Sequence, residues 1–234
     1  MSRLAETYRC QKLYGRAADL GERVLRARDR SRGPNYINTL DAMDFLAMTY
    51  MDLGLSEKAI ALNTIALKNK VELLGTEHPS TLFTMAILAQ AFKLHKSYDK
   101  AVPLSAQALE MRRKVLGSEH PDTLWSMNNF ASMYHEQGLY DRAIELESEA
   151  FETRKRVSGS EHEDTLDIMA GLAVSLHAID RRQSASNLME LCAANSLITL
   201  GTTDPVSVAR QEVAEHWREE LMESVGRDCH SLPV

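Results

Sequence analysis

The 234 residues are 44% hydrophobic and 26% charged, an ordinary globular balance, and long enough to bury a sizeable core. A net charge of −6 removes any general basic surface for nucleic acid, and no apolar run approaches the roughly 18–20 residues of a membrane span. Cys10, Cys192 and Cys229 are scattered and form no CxxC, which excludes a disulfide framework or a Cys-based zinc site; with no signal-like stretch in "MSRLAETYRC", the expected location is the cytoplasm.

In chain order, residues 1–32 read as a partial unit that starts inside a helix. Whole units follow at 33–74, 75–116, 117–158 and 159–200, opened by "GPNYINTL", "GTEHPSTL", "GSEHPDTL" and "GSEHEDTL". A last stretch, 201–225, opens on "GTTDPVSV" and holds one clear helix; residues 226–234 have no pattern and are expected to be a disordered tail. Gly33, Gly75, Gly117, Gly159 and Gly201 each stand 42 residues apart. The same step aligns Leu40, Leu82, Leu124 and Leu166; Met43, Met85, Met127 and Met169; and Ala5, Ala47, Ala89, Ala131 and Ala173. It also aligns Tyr8, Tyr50, Phe92, Tyr134 and Leu176, and Ala17, Ala59, Ala101, Ala143 and Ala185. The two best-matched units share roughly 16 of 42 residues, enough to set a period.

Apolar residues within each unit step by three and four, as in Leu82, Met85, Leu88, Ala89 and Phe92. The breaks fall at Gly54 and Gly138, and at Lys96 and Asp180 in the poorer copies. Each unit is therefore expected to be two antiparallel helices, about 39–53 and 56–73 in the clearest copy. Alanines are needed where two helices cross closely, since a larger side chain would push their axes apart.

The pattern "LA..Y...G.Y..A..L...AL" followed by "LG.EHP.TL" resembles the tetratricopeptide repeat, and more closely the 42-residue kind of kinesin light chains and of fungal and bacterial repeat arrays. The likeness is clearest over 128–166 and 74–82 and extends over about 3–225. It implies an all-α, right-handed α-solenoid of antiparallel helix pairs in one repeat domain, 1–225, with 201–225 as a capping helix. The unit at 159–200 departs from the pattern, with Glu163, Asp180 and Arg182 in place of Pro, Gly and Tyr.

Two readings of His78, His120 and His162 compete: a metal or acid–base cluster, or a helix-start signature. Pro79 and Pro121 suit a first helical turn, and Glu77, Glu119 and Asp122 suit the positive end of a helix dipole. Equivalent positions in stacked units stand on the order of 15–20 Å apart at two helix layers, too far for one ion, so the helix-start reading is preferred. The basic runs at Lys68–Lys70, Arg112–Lys114 and Arg154–Arg156 read as a solvated face near helix C-termini.

The resemblance implies that positions two, five, six, nine and twelve of each first helix line a concave groove. These are Asp41, Asp44, Phe45, Met48 and Met51; Phe83, Ala86, Ile87, Gln90 and Lys93; Trp125, Asn128, Asn129, Ser132 and His135; and Asp167, Ala170, Gly171, Val174 and His177. Trp125 stands where packing requires no aromatic, and Asn128 and Asn129 are poor helix formers in mid-helix. Amides beside apolar pockets suit an extended peptide. The expected function is a non-catalytic scaffold holding a peptide or helix of a protein partner. Its contacts would be Trp125, Asn128, Asn129, Phe83 and Gln90, with Lys93 and His135 as polar and Met48 and Met51 as adaptable apolar additions. No phosphate loop, GxSxG or HExxH is present, so no enzyme, cofactor or metal is expected, nor a nucleic-acid or membrane partner; the oligomeric state is open. The alternatives are a regulatory array of a larger protein, able to self-associate, and a small-ligand binder or enzyme using the groove as a pocket.

Overall fold

The computed structural model describes residues 2–229, and among these there are eleven α-helices and no strand. They are α1 (Ser2–Cys10), α2 (Tyr14–Arg32), α3 (Ile37–Asp52), α4 (Ser56–Leu74), α5 (Pro79–Leu94) and α6 (Tyr98–Leu116). Then follow α7 (Pro121–Glu136), α8 (Tyr140–Ser158), α9 (Glu163–Ala178), α10 (Arg182–Thr199) and α11 (Pro205–Cys229). The helices expected over 39–53 and 56–73 are thus α3 and α4, within two residues at each end. Of the tail expected at 226–234, residues 230–234 lie outside the described residues, while α11 runs on through Cys229.

The chain divides into two compact units, residues 1–126 and 127–234, with the division falling inside α7. In the first unit α1 packs on α2, α2 on α3, α3 on α4, α4 on α5 and α5 on α6, and α3 also touches α5. In the second, α8 packs on α9, α9 on α10 and α10 on α11. Such stacking of helix pairs, each on its neighbour, is the arrangement of an α-solenoid.

Packing follows the small-beside-large pattern. Ala17, Ala59, Ala101, Ala143 and Ala185 are all 0% exposed, as are Leu40, Leu82, Leu124 and Leu166. One core cluster gathers Leu46, Ala47, Tyr50, Ala59, Ile87 and Ala91, and another Leu40, Met43 and Ala66. In α11 the positions that correspond to Met169, Ala173 and Leu176 are Gln211, Glu215 and Arg218, all exposed, so its outer face is polar.

Turn chemistry explains the glycines and their substitutes. Gly117 closes α6 at φ 92°, ψ 160°, a conformation essentially reserved for glycine. The tighter turn inside each helix pair needs a left-handed residue, which Gly54 supplies at φ 74° and Lys96 and Asp180 supply at 58° and 63°.

A recurrent contact was not foreseen from sequence. Lys58 lies 5.4 Å from the Tyr50 ring centre, Lys100 5.6 Å from Phe92 and Arg142 5.6 Å from Tyr134. Each cation crosses the turn onto the aromatic of the preceding helix, worth about 0.5–1 kcal/mol at an exposed site. Where the aromatic becomes Leu176, the cation becomes Ser184.

Candidate functional site

His78, His120 and His162 act at helix starts. Their Nδ1 atoms accept hydrogen bonds from the backbone N–H of Ser80 at 3.1 Å, Asp122 at 3.1 Å and Asp164 at 3.2 Å. The geometry makes Nδ1 the acceptor and puts the ring proton of the neutral imidazole on Nε2. Each imidazole satisfies one amide that the helix itself leaves without a partner. His120→Ala should therefore cost about 1 kcal/mol in chemical unfolding, and His120→Asn should restore most of it. A loss within error for His120→Ala would show that the cap is not stabilising. Among the described residues no three His, Cys, Asp or Glu side chains converge as a metal site.

The basic runs are not uniformly solvated, which corrects the sequence reading. Lys70 is 0% exposed, Arg112 1% and Arg154 8%. Their neighbours Lys68 and Lys114 are not buried. Lys70 Nζ donates to Asp41 Oδ1, Asp44 Oδ2 and Ser80 Oγ at 2.8, 2.7 and 2.8 Å. Thr84 Oγ1 adds a donor to Asp44 Oδ2 at 2.8 Å. Asp44 is therefore a buried carboxylate inside a network and not an open groove position; burial raises it to about 6 against the pull of Lys70.

At the equivalent position, Arg112 hydrogen-bonds neutral groups, with the Asp122 carboxylate near enough to favour its charge. It donates to the Asp122 carbonyl and Ser126 Oγ, both at 2.6 Å, and reaches the Leu82 carbonyl at 3.4 Å. Its guanidinium also lies 5.6 Å from the Trp125 ring centre. Desolvation lowers the pKa of this buried cation. Arg112 is thus a buried cation supporting the indole from beneath, and sequence reasoning missed that placement. The available signal was a basic residue recurring at one register in Lys70, Arg112 and Arg154 while its neighbours varied.

In the first unit, Phe83 on α5 is 36% exposed and Trp125 on α7 41%, the two accessible aromatics expected. Gln90 is half-buried with Oε1 buried and without a partner, and Lys93 is 9% exposed, hence largely withdrawn from solvent. Met48 and Met51 are half-buried and packed against the core cluster around Tyr50. In the second unit, Asn128 is exposed, and Asn129 is half-buried with Nδ2 buried and unpartnered. His135 stands edge-on to Tyr140 with ring centres 5.2 Å apart. His177 stacks on Trp217 at 4.3 Å and 9°, with Nε2 3.3 Å from Glu220 Oε2, so α11 covers it. Gly171 makes room for buried Glu147: a Cβ there would stand 3.2 Å from Oε1, and burial pushes that carboxyl up.

At these positions the described residues offer aromatic rings and amides. Among the described residues no helix is long and apolar enough to cross a membrane.

Comparison with known proteins agrees with this geometry. The tetratricopeptide repeat family matches residues 1–69, 44–114 and 96–156. The crystal structure of the kinesin light chain nearly identical TPR-like repeats of Podosopora anserina is 27% identical with a TM-score of 0.73, over 86% of this chain and 95% of that one. BtubC (BKLC) of P. vanneervenii is 20% identical with a TM-score of 0.73, over 86% and 80%. A Rap protein complexed with competence and sporulation factor is 14% identical with a TM-score of 0.68, over 97% and 68%. The latter two show likeness of fold alone. No curated protein matches the sequence.

Proposed function

The chain belongs to the tetratricopeptide repeat family, whose fold generally serves as a scaffold for protein–protein interaction, and from that premise we propose that it binds a peptide or helical segment of a protein partner without catalysis. The segment lies against the groove-lining faces of the first helices. Trp125 and Phe83 provide apolar anchors, Asn128, Asn129 and Gln90 pair with the partner's backbone amides, and His135 adds a polar contact. Lys93, Met48 and Met51 shape the wall from partly buried positions.

One observation carries the reading: a tryptophan left 41% exposed on a groove helix, above a guanidinium that is itself 1% exposed. A large ring held from below and open above is the form of a binding anchor. Asn129 and Gln90 are half-buried, so each side-chain amide still presents part of its surface to solvent, where a partner's backbone can pair with it. The Rap complex shows a protein of like fold holding its partner.

A small-ligand role has narrower support. A cleft of about 200 Å³ among α1, α2 and α3 is lined by Glu6, Gly21, Arg28, Asp41 and Phe45, but the Arg28 guanidinium already donates to the Asn38 carbonyl.

The test is selection of a displayed random-peptide library on the intact chain, followed by titration of the selected peptides. Trp125→Ala combined with Asn129→Ala should weaken binding by about 30-fold or more, the ratio that corresponds to a 2 kcal/mol anchor, with the circular dichroism spectrum unchanged. Equal binding by the folded double variant, or no enrichment on the native chain, would sink the proposal.

A further inference from the structure

The charge of the chain is unevenly distributed. Residues 1–126 hold 18 Lys and Arg against 14 Asp and Glu, whereas residues 127–234 hold 9 against 19. On α2, Arg16, Arg23, Arg26 and Arg30 are exposed and advance by seven, three and four residues. At about 100° per residue they form one stripe, in which Asp19 is the acid present. Arg26 also meets Glu22, at 3.7 Å, across one turn of the same helix.

An acidic stripe of the same form lies on α11. Glu212, Glu215 and Glu219 are exposed and advance by three and four residues, matching the spacing of Arg23, Arg26 and Arg30. With about 1.5 Å of rise per residue, the two sets have equal axial spacing. Laid side by side and parallel, two such helices would set three guanidiniums opposite three carboxylates without a shift in register. The Arg fork favours such pairing because it can hold a carboxylate through two parallel hydrogen bonds.

We infer that the arginine stripe of α2 docks against the glutamate stripe of α11 of a second copy of this chain. The contact joins unlike surfaces, so it is heterologous and can propagate beyond a dimer. Each exposed pair is weak and screened by salt, which makes the association transient and dependent on ionic strength. None of Trp125, Asn128 or Asn129 belongs to it, so it stands apart from the groove reading.

The experiment is sedimentation velocity of the full chain over a concentration series, at about 20 mM and about 500 mM salt, where the screening length falls several-fold. At low salt the weight-average coefficient should rise with concentration; at high salt it should stay at the monomer value. The variants R23E/R26E/R30E and E212R/E215R/E219R should each sediment as monomers at low salt, with unchanged circular dichroism. Mixed in equal amounts, the two reversed variants should associate again, because the native arginines of one meet the native glutamates of the other and the two reversed stripes meet with their signs exchanged. Concentration-independent sedimentation of the native chain at low salt would overturn the inference, as would association that survives either reversal. A mixture of folded variants that stays monomeric would overturn it too.

Discussion

Replacing Lys70 with methionine should cost about 3–5 kcal/mol of folding free energy, read as a lower urea midpoint by far-UV circular dichroism. Methionine keeps most of the apolar stem, so the loss is electrostatic. The Asp44 carboxylate, its side chain 3% exposed, would be left in the interior without the cation 2.7 Å away. Burial already lifts Asp44 from its ordinary 3.8 to about 6, and Lys70 restrains that rise. A carboxyl raised in this way favours the folded state most when protonated. Its contribution is fully present below about 3.8 and is lost as pH rises through about 6. Without Lys70 the carboxyl rises further, so the deficit of the variant should widen as pH rises through about 6, where the native carboxyl ionises beside Lys70. Adding Asp44→Leu removes the stranded charge and should return most of the stability, since a buried pair can be replaced as a whole by apolar side chains. An unchanged midpoint for Lys70→Met would mean that the network is not holding α4 to α3 and α5.

The contrast between Lys70 and Arg112 shows where sequence reasoning stopped. Both lie in basic runs near helix ends, and composition alone assigned them to the solvated face. Their burial is fixed by helix rotation: the residue facing the packed side is enclosed, and its neighbours one or two places away are not. Once enclosed, lysine found two carboxylates and arginine found carbonyls and an indole. Neither partner set can be read from a single helix, because the partners come from helices before and after it in the chain.

Helix order and turns were legible for physical reasons. A three-and-four spacing of Leu82, Met85, Ala89 and Phe92 admits one amphipathic helix, and a glycine such as Gly117 sits where no other residue adopts the backbone. His120 was legible as a helix-start residue, although its Nδ1 as hydrogen-bond acceptor was not. The exposed character of Trp125 and Phe83 could be read because packing asked for no aromatic at that register. The withdrawal of Asp44 and Lys93 could not: a groove position specifies only the side of the helix from which a side chain leaves. What it then meets depends on neighbours such as Lys70 and Thr84, which lie 26 and 40 residues along the chain from Asp44.

Leu82→Ala should lower stability by about 2–5 kcal/mol, while Val208→Ala should change it by no more than about 0.5 kcal/mol. Leu82 is 0% exposed on α5, in the column shared by Leu40, Leu124 and Leu166, whereas Val208 occupies the corresponding place on α11 and is 39% exposed. Deleting a buried isobutyl group loses its transfer energy and leaves a cavity that close-packed neighbours only partly fill. At Val208 solvent already reaches the side chain, so truncation opens no cavity. The pair separates two accounts of the column. If leucine recurs because it seals the seam between helices, the cost follows burial, and the two substitutions differ several-fold in their shift of the urea midpoint. If it recurs for helix propensity, the more exposed α11 site should be at least as sensitive as the buried one, since leucine and alanine are both strong helix formers and valine is a weaker one. Equal shifts would reject sealing as the reason for the column, and with it the view that each helix pair is stabilised chiefly by covering its neighbour.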